Sequence, residues 1–298
     1  MPIEQKITPC LWFDDQAEDA ANFYASTLKN TKVNKITRYG NAGYDRHGRE
    51  EGTVMTSEFS IDGYDFLGLN GGPAFTKNPS ISFFYICDSE EEINGIWNEF
   101  SRDGKIMMGL DKYEWSERYG FIEDRFGVSW QFSLGDVSDV GQRVTPCFLF
   151  VGEQFGKGEE AVNFYTKVFE NSSIDGILLY GENEAPNKPG SVKHAQFSLD
   201  GCKFMLMESG MEHDFAFNEG ISLSVMCEDQ AEVDRFWDTF TEEGKESMCG
   251  WLNDKYGVSW QIVPKILPKL MSDPERAGRV MEAFMKMKKY DIKKLEAA

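Results

Sequence analysis

Two cysteines at matching places in the chain are the first candidates for chemistry. Cys10 and Cys147 each follow a Thr-Pro pair in a short apolar segment, "TPCLWF" and "TPCFLF". A cysteine nucleophile needs a nearby base or positive charge to hold its thiolate. Of the three histidines, His47 and His213 lie in polar segments, and only His194 lies on a predicted strand. We therefore interpret both cysteines as small buried residues, with nucleophilic catalysis as the alternative.

Carboxylates are the second candidates, because they can act as general acids and bases. Glu58 and Asp111 are the options in the first half, but the chain has 50 Asp and Glu against 31 Lys and Arg, a formal net charge of −19. In so acidic a chain a carboxylate is most often solvated surface. The same charge disfavours nucleic acid and anionic membranes as partners. No segment has the ~20 apolar residues of a membrane span, and the N-terminus has no signal-peptide pattern, so we expect a cytoplasmic location.

The elements that must position these residues occur twice. The pentapeptide "GVSWQ" is found at residues 127–131 and again at 257–261, and "FSIDG" in the first half matches "FSLDG" in the second. Six matched segments follow one order in both halves, which indicates a tandem repeat. We predict a first domain at residues 1–138, a second at 139–264 and a helical tail at 265–298.

Within each copy the pattern predicts a strand, a helix and several strands, and then the same series again. Capping-box patterns at Asp15 with Glu18 and at Ser89 with Glu92 mark helix starts, and Asp-Gly pairs between apolar runs predict hairpins. The second helix of each copy has apolar residues at helical spacing: Ile93, Ile96, Trp97, Phe100, Val233, Phe236, Trp237 and Phe240. This order predicts an α+β fold of paired βαβββ modules with mixed sheets, and it disfavours a doubly wound Rossmann fold.

Several strings carry a family resemblance. "LWFDDQAEDAANFY", "FLGLNGGP", "LDKYEWSERYGFIEDRFGVSWQ" and "CGWLNDKYGVSWQIVP" are similar to recurrent strings of PhnB-like proteins, over about residues 5–264. These belong to the vicinal oxygen chelate superfamily, with glyoxalase I, extradiol dioxygenases and the bleomycin and fosfomycin resistance proteins. The resemblance implies tandem glyoxalase-like domains whose modules curl into cups. Such proteins are often labelled 3-demethylubiquinone-9 3-methyltransferases.

The resemblance also implies where a metal would be held. Metal-binding members use His, Glu or Gln from set strand positions, which fall here on uncharged residues: Thr8, Ser82 and Gln131 in the first copy, and Thr145, Ser222 and Gln261 in the second. Neutral hydroxyls and amides do not offset the desolvation of a divalent ion as carboxylates do. We therefore expect no metal and no cofactor.

Without a metal, the chain is expected to form one or two cups that contact a ligand directly, with the walls of each cup built from the strands of one copy. Strand alternation adds further residues to the same walls: Cys10, Trp12 and Phe84 in the first copy, and Cys147 in the second. The first copy also inserts "LDKYEWSERYG", whose Tyr113 and Trp115 either cover the cup mouth or shield the sheet edge. A mixed lining of this kind suits a small, partly hydrophobic molecule.

The tail predicts one amphipathic helix with a basic end. Ser272 is the expected cap and Pro274 the first turn, and the apolar face consists of Val280, Met281, Phe284, Met285 and Met287. Against an acidic body we expect this helix to dock on its own chain or on a second subunit, with membrane-surface binding as the alternative.

The function expected from these features is metal-independent binding of a small, partly hydrophobic organic molecule. A small-molecule ligand and a possible homodimer are the expected partners. The alternatives are a metal-dependent lyase, isomerase or dioxygenase of the vicinal oxygen chelate type, or a methyltransferase, so whether the protein is an enzyme stays open. A third possibility is that one copy only completes the other's cup. The sequence gives methyl transfer no support, since "GLNGGP" leads into a segment without helical periodicity.

Overall fold

The computed structural model describes residues 5–41, 43–273 and 275–298, which form four modules and a helical tail. The first module contains β1 (Ile7–Phe13), α1 (Ala17–Thr27), β2 (Thr31–Arg38), α2 (Tyr44–His47), β3 (Val54–Ile61) and β4 (Tyr64–Asn70). The second contains β5 (Ile81–Cys87), α3 (Glu90–Ser101), β6 (Lys105–Tyr113), β7 (Ser116–Glu123) and β8 (Ser129–Leu134), and α4 (Val137–Val140) follows it. The third contains β9 (Val144–Phe150), a 3-10 turn (Gly152–Gln154), α5 (Gly158–Val168), β10 (Ser173–Leu179), β11 (Val192–Leu199) and β12 (Cys202–Glu208). The fourth contains β13 (Ile221–Cys227), α6 (Gln230–Thr241), β14 (Lys245–Glu246), β15 (Trp251–Asn253) and β16 (Ser259–Pro264), and the tail contains α7 (Ile266–Met271), α8 (Ala277–Phe284) and α9 (Ile292–Ala297).

The strands form two eight-stranded sheets, and each sheet takes strands from both halves of the chain. The first sheet, in the order β14-β15-β16-β13-β1-β4-β3-β2, joins the first and fourth modules. The second, in the order β10-β11-β12-β9-β5-β8-β7-β6, joins the third and second modules. The modules meet at two antiparallel seams, β1 with β13 and β5 with β9. The α+β class with mixed curved sheets is confirmed, but the expectation that each copy builds its own cup is wrong.

One continuous hydrophobic core lies between the backs of the two sheets and includes the buried faces of the long helices. Phe66 on β4 and Phe83 on β5 meet edge-to-face, with ring centroids 5.0 Å apart, so the first sheet packs directly on the second. Trp130 and Trp260, the tryptophans of the repeated pentapeptide, are fully buried in this core. The apolar residues predicted on α3 and α6 are also buried. The pentapeptide is thus mainly a core strand.

A buried aspartate in each half ties a helix to a closing strand. Asp254 Oδ2 accepts hydrogen bonds from the Tyr165 hydroxyl (2.8 Å) and from Trp260 Nε1 (2.8 Å), and its other oxygen accepts two backbone N–H groups. The same residue types recur in the first half: Asp124, Tyr24 and Trp130. Burial raises the pKa of Asp254 to about 6 in spite of these donors.

The first helix begins differently from the sequence prediction. The capping box predicted at Asp15 is wrong, because α1 starts after Gln16, whose side chain makes no capping bond. The Asn70 side chain on β4 instead accepts a hydrogen bond from the Ala17 N–H at 2.9 Å. The cap predicted at Ser89 is confirmed. The hydrogen-bond acceptor at the start of α1 therefore comes from a strand distant in sequence and not from Asp15.

The predicted hairpin turns are present, and a third hairpin replaces a predicted loop. Asp62-Gly63 has φ values of +50° and +85°, and Asp200-Gly201 has +47° and +81°, as tight turns between strands require. The insertion "LDKYEWSERYG" does not form an irregular loop. It extends β6 and β7 into a long hairpin that adds the outer strands of the second sheet.

The tail folds as three short helices, so the prediction of one helix is corrected. Ser272 follows the end of α7 and does not cap α8, which begins after Arg276; Pro274 lies outside the described residues. Leu267, Val280 and Leu295 bring the three helices together in a small apolar cluster. Among the described residues, no helix is long and apolar enough to cross a membrane.

Replacing Asp254 with Asn should change how stability depends on pH. The raised pKa favours the protonated carboxyl in the folded state, so its contribution is present below about pH 4 and is lost as the pH rises through about 6. We expect the wild type to lose about 2.4 kcal/mol relative to Asp254→Asn between pH 4 and pH 7, given ~1.4 kcal/mol per pKa unit. Urea unfolding across this range measures the difference, and a difference that is constant with pH contradicts the prediction.

Candidate functional site

The two sheets carry the same three polar residue types where their modules meet. In the first sheet Cys10 on β1 lies opposite Ser222 on β13, and Gln261 Nε2 donates to Ser222 Oγ at 2.9 Å. The second sheet repeats the arrangement with Cys147 opposite Ser82 and a 2.8 Å bond from Gln131 Nε2 to Ser82 Oγ. We call the concave face around Gln261 the first cup and the concave face around Gln131 the second cup.

The first cup is open to solvent and contains a cavity of about 840 Å³. Its floor presents uncharged polar groups from Thr8, Ser224 and Gln261. Its walls are mostly apolar and aromatic: Trp12, Tyr39, Met55, Leu67, Leu69, Met226, Trp251 and Val263. A polar floor beneath apolar walls is the usual composition of a site for a small organic molecule.

The C-terminal tail forms one side of this cavity. Leu267, Met281, Phe284, Met285 and Tyr290 line it. The tail is held by backbone hydrogen bonds of 2.8 Å from the N–H groups of residues 249 and 250 to the carbonyls of residues 287 and 288. Lys289 of the tail also forms ion pairs with Asp234 and Asp238 of α6. The tail therefore docks on its own chain, as expected, and it does so at the first cup.

The floor of the second cup is covered by a side chain of its own sheet. The Tyr119 hydroxyl on β7 donates to Gln131 Oε1 at 2.7 Å, and Tyr119 is only 5% exposed. Thr145 on this floor is fully buried. Tyr113 and Trp115 stack on each other at the tip of the β6–β7 hairpin, and each makes an edge-to-face contact with the Tyr119 ring. Their place is therefore beside the second cup.

The structure brings the predicted site residues together in sets that differ from the expected ones. The first cup and its floor collect Thr8, Cys10, Trp12, Ser222 and Gln261. The second collects Ser82, Phe84, Gln131, Thr145 and Cys147. The expected grouping by copy fails because β1 and β5, the first strands of the two modules in one half, each pair with a strand from the other half.

Sequence reasoning missed the part of the first cup that the tail supplies. Met281, Phe284 and Met285 were recognised as an apolar face, but their target was not identified. Tyr290 was not singled out, although it is almost fully buried beside Gly250. One feature of the second half could have indicated this role. Its β14–β15 hairpin is much shorter than the β6–β7 hairpin of the first half, so the equivalent space in the second half is free for the tail.

The buried thiols are poorly suited to nucleophilic chemistry. Burial raises the pKa of Cys10 to about 11, an effect only partly offset by Gln261 and Ser222, and raises the pKa of Cys147 to about 12. Both side chains are about 1% exposed. A thiol with such a pKa carries little thiolate at neutral pH, which agrees with the interpretation of both residues as structural.

The other acid–base candidates lie outside the Cys-Ser-Gln arrangement of the first cup. Glu58 borders the first cavity, is about half exposed and lies 3.9 Å from Lys35. Asp111 is exposed on β6. His194 lies on β11 in the second sheet, and burial lowers its pKa. None of these three side chains is part of the Cys-Ser-Gln arrangement of the first cup.

The floor of the first cup does not match the donor set of a divalent metal site. A hydroxyl from Thr8, a hydroxyl from Ser222 and an amide from Gln261 supply no negative charge, and the neighbouring Cys10 is held as a thiol. Within the described ranges, no three His, Cys, Asp or Glu residues lie close enough together to hold a metal ion.

The glycine pair after β4 serves a structural role. A Cβ on Gly71 would lie 2.1 Å from the Trp12 ring, and Trp12 Nε1 donates to the Gly72 carbonyl at 2.7 Å. The segment then continues to β5 and not into a helix. These glycines therefore accommodate Trp12 and do not form the backbone cradle that a nucleoside cofactor uses at a strand-to-helix turn.

Comparison with known proteins identifies the family. The family model described as 3-demethylubiquinone-9 3-methyltransferase matches residues 5–133 and 142–263. The chain belongs to this PhnB-like family. It is 35% identical to the putative 3-demethylubiquinone-9 3-methyltransferase, PhnB protein, from Bacillus cereus, over 44% of this chain and 100% of that chain, with a TM-score of 0.41. Glyoxalase I from Zea mays shares the fold, with a TM-score of 0.58 and 11% identity over 90% of this chain and 95% of that chain. No curated protein matches the chain.

The thiols of Cys10 and Cys147 should react slowly in the folded protein. The raised pKa of Cys10, about two units above its ordinary value, lowers its thiolate fraction about 100-fold, and burial slows access further. We expect iodoacetamide at pH 7.5 to modify both at least ~100-fold more slowly in native than in denatured protein, as followed by peptide mass spectrometry. Rapid native labelling of Cys10 would support the nucleophile alternative.

Removing the hydroxyl that covers the second cup should cost stability. Tyr119→Phe leaves the buried Gln131 carbonyl without its donor, and we expect a loss of about 1–2 kcal/mol in urea unfolding. Tyr113→Phe is the matched control, because its hydroxyl makes an exposed hydrogen bond to the Gly109 carbonyl, and its loss should be below ~0.5 kcal/mol. Equal losses in the two variants would argue against a sealed second cup.

Proposed function

We propose that the protein binds a small, partly hydrophobic organic molecule in the first cup without a metal ion. The observation that carries the proposal is the cavity of about 840 Å³ with an uncharged polar floor, apolar walls and a side formed by the tail. That volume lies within the range typical of small-molecule sites. The molecule would be held by shape and by hydrogen bonds, with Trp12 and Gln261 among its contacts.

Metal independence rests on the chemistry of the floor. A divalent ion on Thr8, Ser222 and Gln261 would have only neutral ligands beneath an apolar wall, and its desolvation would be largely uncompensated. A lyase, isomerase or dioxygenase that works through a bound metal is therefore the weaker proposal for the first cup.

Binding is also favoured over methyl transfer, in spite of the family's description. The Trp12 ring packs against the glycine pair after β4. Burial raises the pKa of Cys10, and the described residues that hydrogen-bond to it, Gln261 and Ser222, are not bases. The proposed role is therefore capture of a ligand, with chemical conversion of that ligand as the competing outcome of the test.

The test combines metal analysis with ligand screening. Protein purified without chelators should contain well below one divalent ion per chain by mass-spectrometric elemental analysis. A panel of uncharged and charged metabolites should include members that raise the melting temperature equally with and without EDTA, because only the folded state binds them. Mass spectrometry of the recovered ligand should show it unchanged.

Three outcomes would overturn the proposal. One stoichiometric divalent ion per chain would show that the protein has a metal site. Loss of the thermal shift in EDTA would show that ligand binding depends on a metal ion. Conversion of the ligand, including methylation in the presence of S-adenosylmethionine, would establish an enzyme.

A further inference from the structure

Gln261 lines the first cavity, and its side-chain oxygen has no hydrogen-bond donor among the described residues. Its Nε2 donates to Ser222 Oγ at 2.9 Å. Among the described residues, no side chain or backbone group donates to its Oε1, and Gln261 is 8% exposed, where it borders the cavity. A largely buried amide carbonyl gains substantially from a hydrogen bond.

The second cup shows what fits this position. There the equivalent Gln131 makes the same bond to Ser82, and its Oε1 accepts the Tyr119 hydroxyl at 2.7 Å. The aromatic ring of Tyr119 lies over the floor, 6.5 Å from the ring of Phe84. A phenol of the protein's own sheet thus occupies the place above this glutamine.

The first cup lacks both of these aromatic residues. The sequences "YGFIED" and "CGWLND" align Cys249 with Tyr119, and "ISFFYIC" and "ISLSVMC" align Ser224 with Phe84. The pairings of Phe121 with Gln131 and of Trp251 with Gln261 establish the same register in the structure. Smaller side chains at these two positions leave open the space that the Tyr119 ring fills in the second cup.

The surroundings favour an uncharged aromatic occupant. The lining includes Lys35 as its one lysine or arginine among the described residues, and Lys35 already lies near the carboxylate of Glu58. The lining also contains His47, and the carboxylates of Glu58 and Asp65 add negative charge to it, so the described lining disfavours an anion. Thioethers from Met55, Met226, Met281 and Met285 provide polarisable contacts for a ring.

We infer that the first cup takes an uncharged aromatic molecule whose O–H or N–H group donates to Gln261 Oε1, as the Tyr119 phenol does to Gln131. The second cup is filled by that internal tyrosine and takes no such ligand. This inference rests on the proposed binding function and specifies the class of ligand.

Three naphthalenes of similar size test the inference directly on the wild-type protein. 2-Naphthol carries the donor, 2-methoxynaphthalene lacks it, and 2-naphthoate is an anion. Titrations followed by tryptophan fluorescence, which Trp12 and Trp251 in the lining make possible, give the dissociation constants. We expect 2-naphthol to bind at least tenfold more tightly than either of the other two.

Two glutamine variants locate the contact. Gln261→Leu should weaken 2-naphthol binding at least tenfold and leave 2-methoxynaphthalene binding nearly unchanged. Gln131→Leu, a matched change in the covered second cup, should leave the binding of both unchanged, and thermal melts verify that each variant is folded. The comparison of ligands on the wild type does not depend on either variant.

The outcomes separate this inference from the proposed function. If 2-methoxynaphthalene binds as tightly as 2-naphthol, or if Gln131→Leu is the variant that weakens binding, the inference fails while ligand binding itself stands. If no naphthalene binds but members of the metabolite panel stabilise the protein, the inferred ligand class is wrong and the proposed function stands. If neither the naphthalenes nor the panel binds, both fail.

Discussion

Two antiparallel seams between the halves of the chain determine the rest of the structure. At one, β1 pairs with β13, and at the other β5 pairs with β9. Each seam completes an eight-stranded sheet from modules that are distant in sequence, and each places a Cys and a Ser opposite one another with a Gln bonded to the Ser. The duplicated chain thus builds both cups internally, so neither concave floor requires a second subunit.

The same floor has different surroundings in the two cups. In the second half, the hairpin after α6 has only two short strands, and the tail packs where the longer β6–β7 hairpin lies in the first half. The long hairpin carries Tyr119, which caps Gln131. The tail lies along one side of the first cup and leaves Gln261 facing a cavity. Divergence in the elements around the floor, with the floor itself retained, therefore separates a sealed cup from an open one.

The sequence predicted those features that depend on local spacing. The repeat, the order of elements, the Asp-Gly turns and the buried faces of α3 and α6 follow from periodicity and turn chemistry, which neighbouring residues determine. The grouping of site residues did not follow, because strand alternation fixes which face Gln131 occupies but not whether β5 pairs with a strand from its own half. The cap of α1 was missed for the same reason, since Asn70 reaches Ala17 from a strand more than 50 residues away. The role of the tail in lining the first cup could not be predicted, because its apolar face alone does not show which surface it packs against.

The central claim is that one cup per chain is available to a ligand and that no metal is needed. Native mass spectrometry of the full-length protein with an excess of 2-naphthol measures both stoichiometries at once. The account predicts one ligand per chain and no added mass from a metal ion. Two ligands per chain, or a complex that forms only with a bound divalent ion, would contradict it.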